Sequence, residues 1–365
     1  MAEIKTILNK ILVAAIKNEA SDAFVKADQI PMLKINDELI PVEVDKFTPE
    51  MTEHLAKEIM PSRHMEEFET THEANFTYVI PEGRFRTNVM LQRGYYGFVF
   101  RRIEEKIPDF KALYLPEVLG NLSMVERGLI LVTGPTGSGK STTLASMIEH
   151  RNQNASNHII TIEDPIEYFY KDDKCLINQR EIGQDTVSFG KALENAVRQA
   201  PDVLLIGEMR DPESVNAAVF FAETGHLVLS TLHSLNTTQT VERILNFFTT
   251  DVQEQMLKQL ALTLHSIISQ RLIPRKDGKG LIPAVEILIM NARMKDLLSK
   301  NELGTLKREI DQFIPDGMQS FDHAILELYK QDLITKDDAI RFADNSHDMK
   351  LSIKTLPTYI TGENK

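Results

Sequence analysis

The sequence predicts an α/β protein of two domains, in which an α+β N-terminal domain precedes a domain with a mainly parallel sheet and a helical C-terminal part. Residues 76–102 have the alternation and the tight turns that are typical of antiparallel strands. After residue 128, short apolar runs that end in polar residues alternate with helical patterns, which indicates a parallel sheet with crossover helices. A chain of 365 residues is long enough to give each of two domains its own core.

Composition limits the classes of function that are open to the protein. The formal net charge of −12 argues against broad nucleic-acid binding, because that binding needs a basic face that displaces counterions. Cys175 is the only cysteine, which excludes a disulfide framework and a thiolate zinc site. No apolar run approaches the ~20 residues that span a bilayer, and the N-terminus lacks the apolar core of a signal peptide. We therefore expect a cytoplasmic protein without a transmembrane segment and without direct nucleic-acid contacts.

The first elements of the N-terminal domain follow from local patterns. Residues 4–16 place apolar side chains at helical spacing, and this face would pack in the core or, as the alternative, lie on a membrane. Residues 21–25 predict a strand. A helix is predicted over 48–59, with Thr48 as its N-cap and Pro49 at its first position.

Arginine-rich strands close the N-terminal domain. Antiparallel strands are predicted at 76–80, 84–91 and 98–102, and alternation puts Phe85 and Val89 on the face opposite to the arginines of the middle strand. Residues 84–102 include no acidic residue and five arginines, which are Arg84, Arg86, Arg93, Arg101 and Arg102. In an acidic protein this pattern indicates an anionic partner, and a solvated sheet face is the alternative.

The domain boundary is predicted in a stretch with little strand pattern. Residues 105–127 contain two prolines, so they predict a linker with a short helix after Pro116. The N-terminal domain then covers 1–104, the second domain covers 128–353, and a polar tail that frays covers 354–365. Within the second domain, the later elements are a helix at 251–270, a hairpin at 272–289 across Asp277–Gly278, and helices at 295–299, 320–330 and 336–342.

A glycine-rich loop follows the apolar run 129–132 and precedes a helix that begins near Lys140. The loop matches G-x-x-x-x-G-K-[ST], in which backbone N–H groups wrap a phosphate and the lysine reaches the β- and γ-phosphates. The Ser141 hydroxyl would ligate Mg²⁺, and the helix N-terminus adds its positive dipole end. A glycine-rich surface turn is the alternative, and the flanking strand and helix favour the nucleotide site. The residues that we expect to bind ATP here are Gly134, Pro135, Thr136, Gly137, Ser138, Gly139, Lys140, Ser141 and Thr142.

Polar groups follow three more predicted strands, at 158–162, 203–206 and 227–229. Glu163 ends the first and Glu208 lies just after the second, while Ser230 to His233 follow the third. The carboxyl ends of strands in an open parallel sheet share one edge, which is where ligands bind. These side chains are therefore expected to lie beside the phosphate loop.

Two carboxylates are assigned to the chemistry of ATP hydrolysis. Glu208 is expected to hold the Mg²⁺ shell, although Gly207 occupies the position directly after the apolar run that often carries the acid. Glu163 is expected to position the attacking water. The alternatives are a salt bridge with Arg210 for Glu208 and a helix-start acid for Glu163.

Two histidines flank the strand at 227–229. A zinc site is disfavoured, because His226 and His233 have no nearby cysteine and no third histidine at ligand spacing. His233 is expected to sense the γ-phosphate. His226 is expected to contact the nucleotide, and a packed, hydrogen-bonded core histidine is its alternative.

Four motifs carry a specific resemblance that extends from about residue 4 to residue 353. They are the phosphate loop at 134–142, an acidic motif at 161–167, the strand and glutamate at 200–208, and a histidine motif at 222–226 with 231–233. With them the chain resembles the secretion-superfamily ATPases of type IV pilus retraction, the PilT/PilU family. It is most similar to the PilU-like branch, in residues 115–119, 127–130, 198–202 and 270–275. Members of that family also have glycine before the glutamate, as Gly207 stands here.

The resemblance implies a PAS-like N-terminal domain and a RecA-like P-loop domain, assembled as a homo-hexamer with ATP and Mg²⁺ between subunits. It also implies that arginines of the N-terminal domain reach the nucleotide, in the strand region that holds Arg84, Arg86, Arg93 and Arg101. The partners that it implies are a PilT-like ATPase and the inner-membrane platform protein of the pilus, so the ring would be peripheral at the inner-membrane pilus base.

The leading interpretation is an ATP-driven ring motor for pilus retraction and twitching motility. The alternatives are a pilus-assembly or type II secretion ATPase, and a nucleotide-binding regulatory subunit of a partner motor. A four-cysteine zinc motif is common in assembly-type relatives, and the single Cys175 favours retraction. Residues 293–300 depart from the corresponding motif of PilT-like members, so we expect retraction mainly alongside a PilT-like paralogue.

Overall fold

The computed structural model describes residues 2–36, 38–103 and 106–356, with the backbone alone at Ala2 and Glu3. The chain divides into two compact units. The first comprises Met1–Lys106 with Glu167–Phe169, and the second comprises Ile107–Ile166 with Tyr170–Lys365. Of the tail expected at 354–365, the part after residue 356 lies outside the described residues.

The first unit is built on a six-stranded sheet in which every neighbouring pair is antiparallel, with the order β3-β2-β1-β6-β5-β4. Tight turns join β4 to β5 and β5 to β6, as the sequence predicts. The strands are β1 (Asp22–Lys26), β2 (Met32–Ile35), β3 (Glu38–Pro41), β4 (Glu73–Ile80), β5 (Gly83–Gln92) and β6 (Tyr95–Ile103).

Three helices pack against this sheet and complete its core. They are α1 (Ala2–Lys17), α2 (Pro49–Ile59) and α3 (Ser62–Thr71). Leu8, Ile11 and Leu12 of α1 are fully buried in the same cluster as Phe85 and Val89 of β5, so the apolar face of α1 serves the core rather than a membrane. Thr48 caps α2 by accepting a hydrogen bond from the Met51 N–H, as predicted. Helix α3 was not predicted.

The second unit is built on a seven-stranded sheet with the order β13-β12-β7-β11-β10-β8-β9. Every pair is parallel except β12 with β13, which form an antiparallel hairpin. The strands are β7 (Gly128–Thr133), β8 (His158–Glu163), β9 (Leu176–Glu181), β10 (Val203–Ile206), β11 (Leu227–Leu232), β12 (Leu264–Pro274) and β13 (Leu281–Ile289).

Helices cover both faces of this sheet, and the last three pack on the β12–β13 hairpin as a helical C-terminal part. The helices are α4 (Val118–Ser123), α5 (Lys140–Asn154), α6 (Phe189–Ala196), α7 (Pro212–Glu223), α8 (Thr237–Leu245), α9 (Thr250–Thr263), α10 (Ala292–Ser299), α11 (Leu303–Glu309), α12 (Phe321–Lys330), α13 (Lys336–Phe342) and α14 (Ser346–Thr355). Together with the antiparallel sheet of the first unit, this arrangement confirms the predicted fold class. No helix in the described part of the chain has both the length and the apolar character that a bilayer crossing demands.

The stretch that we expected to be a linker, 105–127, lies within the second unit from residue 107 onward. It contains the predicted short helix, α4, and buries Leu115, Leu119 and Leu122 in the cluster beneath α5. Residues 104 and 105 lie outside the described residues.

Two predictions for the second unit are wrong in detail. The helix expected at 251–270 ends at Thr263, and residues 264–270 are strand because they pair with β7 in the middle of the sheet. Strand β11 extends to Leu232, so Ser230 and Thr231 lie inside it and donate hydrogen bonds to the carbonyl oxygens of Ile206 and Gly207. The edge strand β9 was not predicted.

Candidate active site

The phosphate loop, residues 134–139, connects the fully buried strand β7 to α5. Gly134 has a φ of 152°, and a Cβ atom there would lie 2.3 Å from the carbonyl oxygen of Gln270 and 2.4 Å from the Ser138 hydroxyl. Only glycine fits this turn. Gly137, at the exposed tip, has a φ of 77° and nothing within 4 Å of its would-be Cβ. The loop therefore packs closely at its base and is open at its tip.

The Lys140 side chain folds back over this loop. Its Nζ atom donates hydrogen bonds to the carbonyl oxygens of Gly134 and Pro135, each at 3.0 Å. The same atom lies 3.5 Å from Nδ1 of His233, which follows β11. The side chain is buried, and its ammonium group lies at the mouth of the loop, where a phosphate would pair with it.

Gln270, on β12, braces the loop from the side of the sheet. Its Nε2 atom donates to the Ser138 carbonyl oxygen at 2.7 Å, and its Oε1 atom accepts from the Thr143 hydroxyl at 2.8 Å. This buried amide ties the loop to the first turn of α5. This role was not predicted, because residue 270 was assigned to a helix, and Gln270 is one of several buried polar residues of β12, together with Ser266 and Ser269.

Glu163 ends β8 at the carboxyl edge of the sheet. Its Oε1 atom accepts from the Thr161 hydroxyl at 2.6 Å and from Gln179 Nε2 at 3.3 Å. A Cβ atom on Gly207 would lie 3.4 Å from the Glu163 Cα atom and 3.3 Å from the Ile162 carbonyl oxygen. Glycine at position 207 thus lets the ends of β8 and β10 approach closely.

Glu208 stands between two cationic or basic groups. Its Oε2 atom accepts from Arg210 Nε at 2.7 Å, and its Oε1 atom lies 3.3 Å from His233 Nε2. The hydrogen bond to Glu208 raises the pKa of Arg210 above its ordinary value. The salt bridge that we held as an alternative for Glu208 is therefore formed, and the second oxygen faces His233. Lys140, His233 and Glu208 form a continuous chain of polar contacts.

The structure does not bring His226 to this cluster. It lies at the amino end of β11, where its carbonyl oxygen accepts from the Gly128 N–H, while the phosphate loop follows the carboxyl end of the paired strand. Six residues of strand separate the two ends, or about 20 Å at ~3.3 Å per residue. Nδ1 of His226 lies 3.1 Å from the Phe221 carbonyl oxygen, and the ring packs edge-on against Phe221. Within one chain, these contacts match the packed, hydrogen-bonded alternative for His226, and a contact with the nucleotide stays a prediction.

Arg84, Arg86 and Arg101 lie on the sheet face opposite to the core of the first unit. Arg86 of β5 is exposed and stands directly across from Arg101 of β6, whose Nε atom donates to Asp22 at 2.9 Å. The Arg84 guanidinium lies 4.0 Å from the ring centroid of Phe169, which belongs to the same unit. Arg93, with a φ of 53°, forms the turn between β5 and β6. Arg84, Arg86 and Arg101 thus place positive charges on one face of the sheet.

The residues of the loop fit a nucleotide triphosphate with Mg²⁺. The Ser138 hydroxyl is buried and has no hydrogen-bond partner among the described residues, and the open space at Gly137 lies beside it in the loop. Ser141, at the start of α5, and Glu208 offer the hydroxyl and carboxylate oxygens that Mg²⁺ prefers. Among residues 2–36, 38–103 and 106–356 no group of three or more His, Cys, Asp or Glu side chains forms a metal site. A Mg²⁺ ion here would take most of its ligands from phosphate and water.

Comparisons with known proteins agree with this geometry. A family model described as "Type II/IV secretion system protein" matches residues 1–301. The type IV pilus ATPase PilU of Pseudomonas aeruginosa is 43% identical over 346 residues, which cover 94% of this chain and 91% of PilU. The type IV pilus retraction ATPase PilT of the same organism is 37% identical over 333 residues, or 91% of this chain and 96% of PilT.

A solved structure gives the same result in three dimensions. The crystal structure of the pilus retraction motor PilT with bound ADP is 42% identical and superposes with a TM-score of 0.87, over 94% of this chain and 98% of that one. The resemblance inferred from the motifs, with its PilU-like character, is confirmed.

Proposed function

This chain belongs to the type II/IV secretion system protein family, among the PilT/PilU-family ATPases, and we propose that it hydrolyses ATP to drive type IV pilus retraction. The observation that carries the proposal is the contact chain from Lys140 through His233 to Glu208, at the mouth of a phosphate loop. Such a chain joins the cation that faces the phosphates to a carboxylate that can hold the metal shell. A surface turn that only happened to contain glycines would not have these groups assembled around it.

Each group then has a proposed role in hydrolysis. Residues 134–142 hold the phosphates, with Lys140 exchanging its bonds to the Gly134 and Pro135 carbonyl oxygens for the β- and γ-phosphates. Ser141 and Glu208 hold Mg²⁺, which neutralises charge on the phosphates when bound. Glu163 orients a water molecule and accepts its proton as the water oxygen attacks phosphorus and the bond to the leaving ADP breaks. His233 senses the γ-phosphate through the Lys140 and Glu208 contacts.

The assembly that we propose is a homo-hexameric ring, in which arginines of one subunit complete the site of its neighbour. The exposed Arg86 supports this, because its cross-strand neighbour Arg101 already pairs with Asp22, so an anion that reaches this face would pair with Arg86. Arg84 and Arg93 are further candidates. The partners would be the inner-membrane platform protein and a PilT-like ATPase, with the ring on the cytoplasmic side of the pilus base.

The test has a biochemical arm and a cellular arm. The purified protein should hydrolyse ATP and form rings in electron micrographs, and Lys140→Ala should abolish hydrolysis. In cells that lack a PilT-like paralogue but express this protein at its normal level, we expect pilus retraction to be rare or slow. Retraction at undiminished frequency and speed would make the chain an independent motor and would contradict the partnership. A protein that binds ATP without turnover would be a regulatory subunit instead.

A further inference from the structure

Glu286 is a carboxylate in the middle of the apolar strand β13, and its side chain is fully buried. Its Oε1 atom accepts a hydrogen bond from the backbone N–H of Thr237, the first residue of α8, at 2.8 Å. Its Oε2 atom has no hydrogen-bond partner in the described part of the chain. A carboxylate in such a place costs free energy, so an apolar residue would serve the core better. Because the hydrogen bond of this carboxylate goes to the first N–H of α8, the free-energy cost of burying it indicates a role at the N-terminus of that helix.

Glu286 belongs to a buried polar row that crosses the sheet. In register, Glu286 pairs with Ser269 of β12, and Ser269 pairs with Thr133 of β7. The hydroxyls of Thr133 and Ser269 are 2.8 Å apart, and the Thr240 hydroxyl of α8 lies 3.3 Å from that of Thr133. All of these residues are fully buried. The row therefore connects the hairpin, the last residue before the phosphate loop and the first turn of α8.

The row ends next to His233. The Thr240 hydroxyl lies 2.7 Å from the hydroxyl of Ser234, the residue that follows His233. Between Ser234 and α8 there are only Leu235 and the N-cap Asn236, so a shift of the first helical turn would shift His233 as well. His233 itself is half-exposed and touches the Lys140 and Glu208 side chains at 3.5 Å and 3.3 Å. The position of His233 therefore depends on the contacts that hold Ser234 and the first turn of α8.

We propose that Glu286 is a positioning residue for ATP hydrolysis: by holding the first turn of α8 it keeps His233 beside Lys140 and Glu208. The inference rests on the function proposed above. Glu286 does not touch the nucleotide site itself, and its effect passes through the Thr237 N–H and the short segment back to His233. The β12–β13 hairpin, on which the C-terminal helices pack, thereby sets the geometry of the catalytic cluster.

The first test compares two substitutions at this position. Glu286→Gln keeps an oxygen that accepts from the Thr237 N–H, so kcat should stay near the wild-type value. Glu286→Ala removes the acceptor, and kcat should fall by about 10–100-fold, the scale of a small misplacement of a catalytic group. The KM for ATP should change little, because the phosphate loop is untouched. Equal kcat values for the alanine variant and the wild type would overturn the proposal.

A second variant removes the same hydrogen bond from the other side and covers the case in which Glu286→Ala fails to fold. Thr237→Pro deletes the donor N–H at the first helical position, where proline is well tolerated. The preceding Asn236 has φ −158° and ψ 176°, the extended conformation that a residue before proline adopts. Thr250→Pro is the control for a proline at the first position of a helix, at the exposed start of α9. We expect Thr237→Pro to lower kcat as Glu286→Ala does and Thr250→Pro to leave it unchanged, and equal effects of the two prolines would contradict the proposal.

The decisive measurement is a double-mutant cycle with His233→Ala. If Glu286 acts through His233, then Glu286→Ala should have no further effect on kcat in the His233→Ala background. The same fold-loss in both backgrounds would mean that Glu286 acts elsewhere.

Failure of the proposed function is separately visible, as a wild-type protein that does not hydrolyse ATP. In that event crystal structures of the wild type and Glu286→Ala with ADP decide the inference. A displaced His233 in the variant would support it, and an unchanged His233 would overturn it.

Discussion

The side-chain amide of Gln270 donates a 2.7 Å hydrogen bond to the carbonyl oxygen of Ser138, so strand β12 is fastened directly to the phosphate loop. The other end of the amide holds the Thr143 hydroxyl. Both bonds are buried. The shape of the loop therefore depends on its neighbours in the sheet.

Gln270→Met should weaken ATP binding while the protein stays folded. Methionine has a similar volume, but it leaves the Ser138 carbonyl oxygen and the Thr143 hydroxyl without this partner, and each buried loss costs about 1–3 kcal/mol. We expect the Kd for ATP, measured by titration calorimetry, to rise by at least about tenfold, since ~1.4 kcal/mol corresponds to that factor. Thr143→Val is the control, because it removes only the second bond and should have the smaller effect. An unchanged Kd in Gln270→Met would show that the loop keeps its shape without the brace.

Glu163→Gln should bind ATP with near wild-type affinity and hydrolyse it far more slowly. The amide keeps the size of the side chain but cannot accept a proton, and loss of a general base costs typically ~10²–10⁴-fold in rate. Glu208→Gln is the comparison: it should also weaken the dependence of binding on Mg²⁺, which Glu163→Gln should not. Single-turnover hydrolysis and Mg²⁺ titrations separate the two. Wild-type turnover by Glu163→Gln would move the water-positioning role to Glu208 or to another group.

Much of the cluster could be predicted from the sequence, because its members follow apolar runs of parallel strands. Glu163, Glu208 and His233 each come at or just after the end of such a run, and parallel strands present these ends at one edge. His226 comes before its strand, so the same rule puts it at the amino edge of the sheet. The structure places it at that edge. Local pattern was sufficient for the three residues at the carboxyl ends, whereas His226 was expected at the nucleotide.

Gln270 and Glu286 could not be found in this way. Their roles depend on the register between strands far apart in sequence, in which Glu286 pairs with Ser269 and Ser269 pairs with Thr133. The apolar run before Gln270 is compatible with a helix and with a buried strand. Its pairing with β7 decides that it is a strand. The same limit applies to the 107–127 stretch, whose prolines suggested a linker although its leucines are buried.

A mixture of two inactive variants should recover activity if arginines complete the site of a neighbouring subunit. Lys140→Ala subunits lack a functional loop, and Arg84→Ala/Arg86→Ala/Arg93→Ala subunits lack the cations. In a mixed ring, some sites combine an intact loop from one subunit with intact arginines from the next, so the ATPase rate of the mixture should exceed the sum of the two variants. Co-assembly must be verified by pulling down one tagged variant with the other. Verified mixed rings without any recovery would count against completion of the site between subunits.

The free energy of unfolding should depend on pH through Glu286, and the burial of this carboxyl sets the sign of the dependence. Burial raises the pKa of this carboxyl above its ordinary value, against the opposing effects of the Thr237 N–H and Lys307 and with a smaller contribution from Asp344. Between the ordinary and the raised value the folded state binds more protons than the unfolded state. Stability therefore falls as pH rises through this window.

Glu286→Gln removes the titrating group. The Tm of this variant should therefore rise relative to that of the wild type as pH rises from about 4. The difference should become constant above the pKa of Glu286 in the folded state. Exposed Glu254 is a control of opposite sign, because the hydrogen bond from Lys258 lowers the pKa of Glu254. Its stabilising contribution is present above the unfolded pKa and is lost as pH falls, so any Tm difference for Glu254→Gln should be small and should turn against the variant as pH rises. Scanning calorimetry across this range on all three proteins makes the comparison. A Tm difference between Glu286→Gln and the wild type that does not change with pH would show that Glu286 titrates no differently in the folded and unfolded states.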